Sequence, residues 1–307
     1  MAVYEQTYKP FAGKLTPEWS RFLIIPRHTY ESIFSSKLFT AFFVICFLPS
    51  LAEAILIYLH HNFTALTIMQ ATVKDLIPID NSFFRFFAYF QGIFAFFMAL
   101  LIGPPLVARD LRNNALPLYL CRPFSRTEYV MGKMSVILIL LSAITWVPQL
   151  LLFLFQSYLQ GFVWFKANLW IGSAIFLSNI VWILLLALLT QTISALVKWR
   201  VVASGALLGL FIIPSVFAEF INQVFMTRWG SLFSLGSLVV SVTNGLFGLY
   251  ARITGAVQIR NFDDDIVVRE VVLFEPPLWC SWTVLFLVCA ICLAVLAWKV
   301  KAYEVVK

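Results

Sequence analysis

Residues 108–133 read ARDLRNNALPLYLCRPFSRTEYVMGK, a polar stretch between two long apolar runs that carries Arg109, Arg112, Arg122, Arg126 and Lys133. Arg109 to Ala115 can form a short helix. Pro117 ends it, because proline lacks the amide donor and clashes with the preceding turn. Pro123 marks a second break. Ser125-Arg126-Thr127-Glu128 then reads as a capping box, in which hydroxyl and carboxylate each satisfy a free amide, so the next helix starts at Arg126 and runs into apolar sequence. A structured, basic loop between two apolar helices is the layout of a helical membrane protein.

Composition agrees. Of 307 residues, 61% are hydrophobic and only 12% charged, about half the charged fraction of a soluble domain. About 20 apolar residues cross a bilayer, and six runs reach that length: 38–59 with Glu53 inside it, 84–107 ending at Gly103-Pro104-Pro105, one within 134–165, one within 167–197, 201–220 and 278–298. Lys198-Trp199-Arg200 makes a tight turn between the fourth and fifth. Residues 231–250 are uncharged but two-sided. Leu232, Leu235, Val239, Val242, Leu246 and Leu249 mark one helical face, and Ser234, Ser237, Ser241, Asn244 and Gly248 the other. That pattern predicts an amphipathic helix at the outer interface, within a non-spanning outer segment 225–277. Residues 1–37 read as a tail followed by an amphipathic helix that starts at Thr16-Pro17-Glu18, is kinked by Pro26, and turns Trp19, Phe22, Tyr30 and Ile33 toward the membrane interface. The expected fold is an all-α integral membrane protein.

The net charge of +7 invites a nucleic-acid reading, but its distribution argues for membrane orientation. With both termini in the cytoplasm, 15 of the 22 basic residues lie on the cytoplasmic side and 7 on the other, the expected positive-inside bias. The five cysteines have neither disulfide nor zinc-site spacing. Asp263-Asp264-Asp265 lacks the alternating ligands of a calcium loop and reads as a solvated turn.

A phosphate-binding loop is missing. Gly132-Lys133 is followed by Met134, and Thr127 stands where the first glycine of Gly-x-x-x-x-Gly-Lys-Ser/Thr belongs. This predicts a chain that is not itself an enzyme and holds no cofactor. Polar residues within spans are costly and mark candidate functional positions. Glu53, Arg85, Gln91, Gln149 and Asn179 are these candidates. Glu53 and Arg85 fall at similar depth on adjacent spans and are expected to pair.

The set Arg109-Asp110-Leu111, Pro117-Leu118-Tyr119-Leu120, Arg122-Pro123, Ser125 to Tyr129 and Gly132-Lys133 resembles the permease subunits of ABC-2-type transporters. The resemblance implies a six-span permease domain over 38–307, with the loop 108–133 forming a cytoplasmic coupling helix. Asp110, Arg112 and Asn113 on that helix, and Arg122 and Arg126 on the turn after it, would meet a separate ATPase subunit. It further implies that ATP and magnesium are bound by the ATPase, that two permease subunits pair as a homodimer or heterodimer, and that the assembly is an exporter in a prokaryotic cytoplasmic membrane. Two other readings stand beside it. An intramembrane enzyme acting on lipid or prenyl groups would need clustered acidic or histidine residues, where the loop has only Asp110 and Glu128. A non-transporting membrane anchor for a cytoplasmic partner would need the loop but no polar path.

Overall fold

Helices follow the apolar runs. The computed structural model describes residues 24–62, 78–113, 126–197, 199–249, 254–260, 266–272 and 276–299. In chain order they form α1 (Ile24–Phe34), α2 (Lys37–Ile45), α3 (Leu48–His61), α4 (Asn81–Arg112), α5 (Arg126–Ile144), α6 (Trp146–Gln160), α7 (Phe162–Leu196), α8 (Arg200–Val224), α9 (Leu235–Leu246) and α10 (Leu278–Lys299). Among the described residues, six stretches are long and apolar enough to cross a membrane: Lys37–His61, Asn81–Leu106, Glu128–Gln160, Phe162–Leu196, Arg200–Val224 and Leu278–Lys299. These are the six runs read from the sequence; α5 is described from Arg126, and Ser125, the predicted N-cap, lies outside the described residues.

α7 is the centre of the bundle. It packs against α4, α5, α6, α8, α9 and α10, and 56% of its most apolar window is buried, against 17% for α8. The large core cluster joins α4, α5 and α7 through residues such as Met98, Ile137 and Leu186. A second cluster gathers Phe83, Phe84, Phe153 and Phe247 toward the end where α4 begins. Outside, Leu51, Ile55, Ile212, Val216 and Phe286 are each at least half exposed. Exposed apolar side chains in such number suit lipid as the surrounding solvent.

Prolines stand in several spans, and side chains from other helices bond to backbone groups beside them. Pro148 removes the donor that would serve the Ile144 carbonyl, and α5 gives way to α6 there. The Gln91 amide donates to that carbonyl and also, at 2.8 Å, to the Cys46 carbonyl where α2 ends. One side chain of α4 thus pins the breaks in both neighbouring spans.

The third break was expected to end the second span at Gly103-Pro104-Pro105, with a separate short helix after it. Instead α4 runs unbroken to Arg112. The reason lies on α7 and α8. The Ser194 hydroxyl accepts from the Ala108 amide at 2.8 Å and donates to the Pro104 carbonyl at 2.7 Å. It therefore stands inside a backbone hydrogen bond of α4. The Leu100 carbonyl, which Pro104 leaves without a donor, faces the Ser204 hydroxyl at 3.5 Å. A helix whose backbone bonds are relayed through neighbouring hydroxyls is a natural place to bend.

α1 packs against α5. Tyr30 donates to the Val136 carbonyl at 3.4 Å, and burial pushes its hydroxyl up to about 12. The start of the predicted amphipathic helix, residues 16–23, lies outside the described residues. α9 has 12 residues and is about 18 Å long, well short of the roughly 30 Å hydrocarbon layer. Leu235, Val239 and Val242, on its predicted apolar face, are buried. One departure from the all-α expectation is an antiparallel hairpin of β1 (Thr254–Arg260) and β2 (Ile266–Val272), in register from Thr254↔Val272 to Arg260↔Ile266. Both segments are rich in β-branched residues, which favour strands. Asp263 to Asp265 lie outside the described residues.

Candidate functional site

The N-terminal end of α4 is tied down by its own cap and by α9. Asp80 accepts from the Phe83 amide at 3.0 Å and from the Ser82 hydroxyl at 2.6 Å, satisfying donors that a helix start leaves free. Burial works to raise the Asp80 carboxyl, but the bonds from Ser82 and the Phe83 amide outweigh it and hold the group below its usual value. Asn81 donates to the Phe247 carbonyl at 2.7 Å. One turn further, Arg85 donates to the Asn244 side chain at 2.9 Å. α9 itself starts on Ser234, whose hydroxyl accepts from the Ser237 amide at 3.2 Å.

These contacts frame a cavity of about 350 Å³ between α4, α7, α8 and α9. Arg85 and Asn244 stand at one end. The other end is aromatic. Phe211 meets Phe96 edge-on at 4.9 Å and Trp182 at 5.7 Å, and Trp182 is fixed by donating to the Gly92 carbonyl at 2.9 Å. Between the ends, Ser178, Ser215, Ser234, Ser237 and Thr243 line the wall. Ser215 and Ser234 share a hydrogen bond of 2.8 Å across α8 and the start of α9. Tyr89 and Ile93, also lining residues, are 49% and 38% exposed, so the cavity opens sideways beside α4.

The candidate polar residues separate into two kinds. Arg85 and Asn179 line the cavity. Gln91 and Gln149 hold helices together: Gln149 donates to the Phe84 carbonyl at 2.8 Å and accepts from Asn179 at 3.0 Å. Glu53 is buried in α3 with one carboxylate oxygen unpartnered, and it does not line the cavity. The expected Glu53–Arg85 pair does not form. Similar depth does not bring two side chains together when the helix rotations differ: Glu53 turns inward beside Ile57, while Arg85 turns to α9. We expect the stability effects of Glu53→Gln and Arg85→Gln to add to within about 0.5 kcal/mol in the double variant. A coupling of more than about 1 kcal/mol in denaturant titration would restore the pair.

At the opposite end of α4, Asp110 and Lys133 form an ion pair of 2.9 Å, with side-chain exposures of 14% and 8%. Tyr129, fully buried, donates to the same Asp110 oxygen at 2.8 Å. Asp110 was expected to face a partner. It instead clamps the end of α4 to the start of α5, because only an opposite charge makes a carboxylate tolerable at that depth. Asn113 is exposed as expected. Arg112 ends α4 and Arg126 begins α5, but their side chains, and Arg122 altogether, lie outside the described residues.

Sequence reasoning missed Asn244, Trp182 and Phe211 as site residues, and Ser194 and Lys133 as structural partners. The polar face of 231–250 was the available signal for part of this, since Ser234, Ser237 and Asn244 all line the cavity. A scan against protein-family models finds no match to the chain, and a comparison with curated proteins finds none.

Proposed function

We propose that this chain is the permease subunit of an ATP-driven exporter of the ABC-2 type, paired with a second permease subunit, and that a separate ATPase docks on the segment 108–133. The observation that carries the reading is the clamp. Asp110, Lys133 and Tyr129 bind the two helices that flank residues 114–125 into one body, so a push on that segment moves both helices together. The distribution of basic residues supports a cytoplasmic location for it.

The relayed hydrogen bonds at Pro104 give such a push somewhere to go. Gly92, in the cavity wall, lies 12 residues before Pro104, about 18 Å along the helix. A bend of about 10° at the prolines displaces that wall by about 3 Å, a shift that changes the width of the cavity. Closure of the ATPase pair on ATP would supply the push, and this chain would need no bond chemistry of its own.

Charge reversal tests the docking. Arg112→Glu and Arg122→Glu are each expected to release the ATPase during purification while the permease elutes intact by fluorescence-detected size exclusion, since guanidinium groups anchor such interfaces. Full retention of the ATPase with coupled hydrolysis in both variants would return the loop to a purely topogenic role.

A further inference from the structure

We propose that the cavity between α4, α7, α8 and α9 is a binding site for an amphiphile with an anionic head and a single apolar chain. Arg85 takes the head, and Phe96, Trp182 and Phe211 take the end of the chain. The inference concerns binding alone and does not depend on the transport reading.

The charge argument comes first. Among the described residues lining the cavity, Arg85 is the only charged one. Among the described residues no carboxylate lies within ion-pair distance of it, and its buried Nε–H has no acceptor. A guanidinium offers five donors, and the hydrogen bond to Asn244 uses one of its other nitrogens. A cation held at the edge of an apolar bundle without a counter-charge is costly. An anion in the cavity would remove that cost, and a bidentate carboxylate or phosphate suits the guanidinium fork.

The rest of the lining sets the body of the ligand. Four lining serine hydroxyls are already committed: Ser178 donates to the Ile175 carbonyl, Ser237 to Ser231 and Ser234 carbonyls, and Ser215 and Ser234 bond to each other. They need no polar partner from a ligand, so the wall accepts a chain. From Arg85 to Phe96 the cavity follows 11 residues of α4, about 16 Å, or roughly half the thickness of a bilayer core. Arg85 sits four residues inside the start of α4, about 6 Å, where a lipid-like head would sit while its chain runs inward. The volume of about 350 Å³ is at the small end of ligand sites and fits one chain better than two. The sideways opening at Tyr89 and Ile93 lets such a molecule enter from the membrane.

The test uses the full chain in phosphatidylcholine nanodiscs and a terminally brominated dodecanoate, which quenches nearby tryptophan. The chain has 10 tryptophans, so the signal read is the saturable component that Trp182→Phe removes. We expect that component in the native chain. In Arg85→Gln it should shift to at least about tenfold higher concentration, the effect of losing a charge-assisted bond, and Arg85→Lys should retain most of it. The brominated alcohol and the trimethylammonium compound of equal chain length should not produce it, nor should acetate compete. Gly236→Leu, at a lining glycine whose added Cβ meets nothing closer than 3.8 Å, should abolish it by filling the space. Competition by lysophosphatidylglycerol placed in the discs would identify a single-chain membrane lipid as the source of the head, and its absence a free fatty anion. Both results support the site. Equal saturation in Arg85→Gln, equal saturation by the alcohol, or an unchanged component in Gly236→Leu would each overturn it. The last of these holds even where Arg85→Gln fails to fold.

Discussion

Lys133→Met is expected to destabilise the protein by about 3 kcal/mol and to lower the apparent melting temperature by roughly 5–10 °C. Methionine fills the space of the lysine stem, so the loss is electrostatic. It leaves the Asp110 carboxylate, 14% exposed, held by the Tyr129 hydroxyl without the lysine's charge. An unpaired carboxylate at that depth costs more than the pair contributed. The double variant Lys133→Met with Asp110→Asn removes the stranded charge and keeps an acceptor for Tyr129, so it should recover 1–3 kcal/mol of the loss, as coupled neighbours do. Fluorescence-detected thermal melts of the four proteins close the cycle. A melting temperature for Lys133→Met within about 1 °C of the native chain would mean that solvent reaches Asp110 and that the clamp is not a buried pair. Under the proposed function the single variant should also uncouple ATP hydrolysis from transport before it unfolds, because the two flanking helices no longer move as one.

How much of this was legible in the sequence depended on the range of the interactions involved. The six spans were legible because length and apolarity are local properties. The face of α9 was legible because its period is. The continuation of α4 through Pro104 and Pro105 was not, since the groups that make it possible, Ser194 and Ser204, stand 90 and 100 residues downstream of Pro104 on other helices. The same holds for the cavity. Arg85 was found as a polar residue in a span, but its partner Asn244 is 159 residues away, and depth alone pointed to Glu53. Asp110 was misread for a different reason. A charged residue in a polar loop is exposed by default, and only the tertiary placement of Lys133 and Tyr129 takes it inside. Long-range polar contacts therefore account for most of what the sequence withheld, and they are also the contacts that tie the bundle together.

Gly103→Ala tests the seam on which the hinge depends. α4 and α7 approach so closely there that a Cβ on Gly103 would lie 2.5 Å from the Thr190 Cβ, 2.8 Å from its methyl and 3.0 Å from its hydroxyl. The threonine cannot simply turn away, since its Cβ is fixed by the backbone and its hydroxyl is bound to the Leu186 carbonyl at 2.7 Å. The helices must separate, which also strains the Ser194 relay one turn along α7. Overpacking of this kind costs about 1–3 kcal/mol, with the upper end expected here because two helix backbones must move. Thr190→Gly alone should cost about 1 kcal/mol, part through helix propensity and part through loss of a buried methyl. Combined with Gly103→Ala it removes the three nearest atoms of the clash, so the double variant should be more stable than Gly103→Ala alone. Gly205→Ala is the control: a Cβ there meets nothing within 4 Å, and alanine in a helix interior should raise stability by up to about 1 kcal/mol. If Gly103→Ala melts with the native chain while Gly205→Ala behaves as expected, the close α4–α7 contact is wrong, and Gly103 is then one more glycine in a span with no part in the hinge.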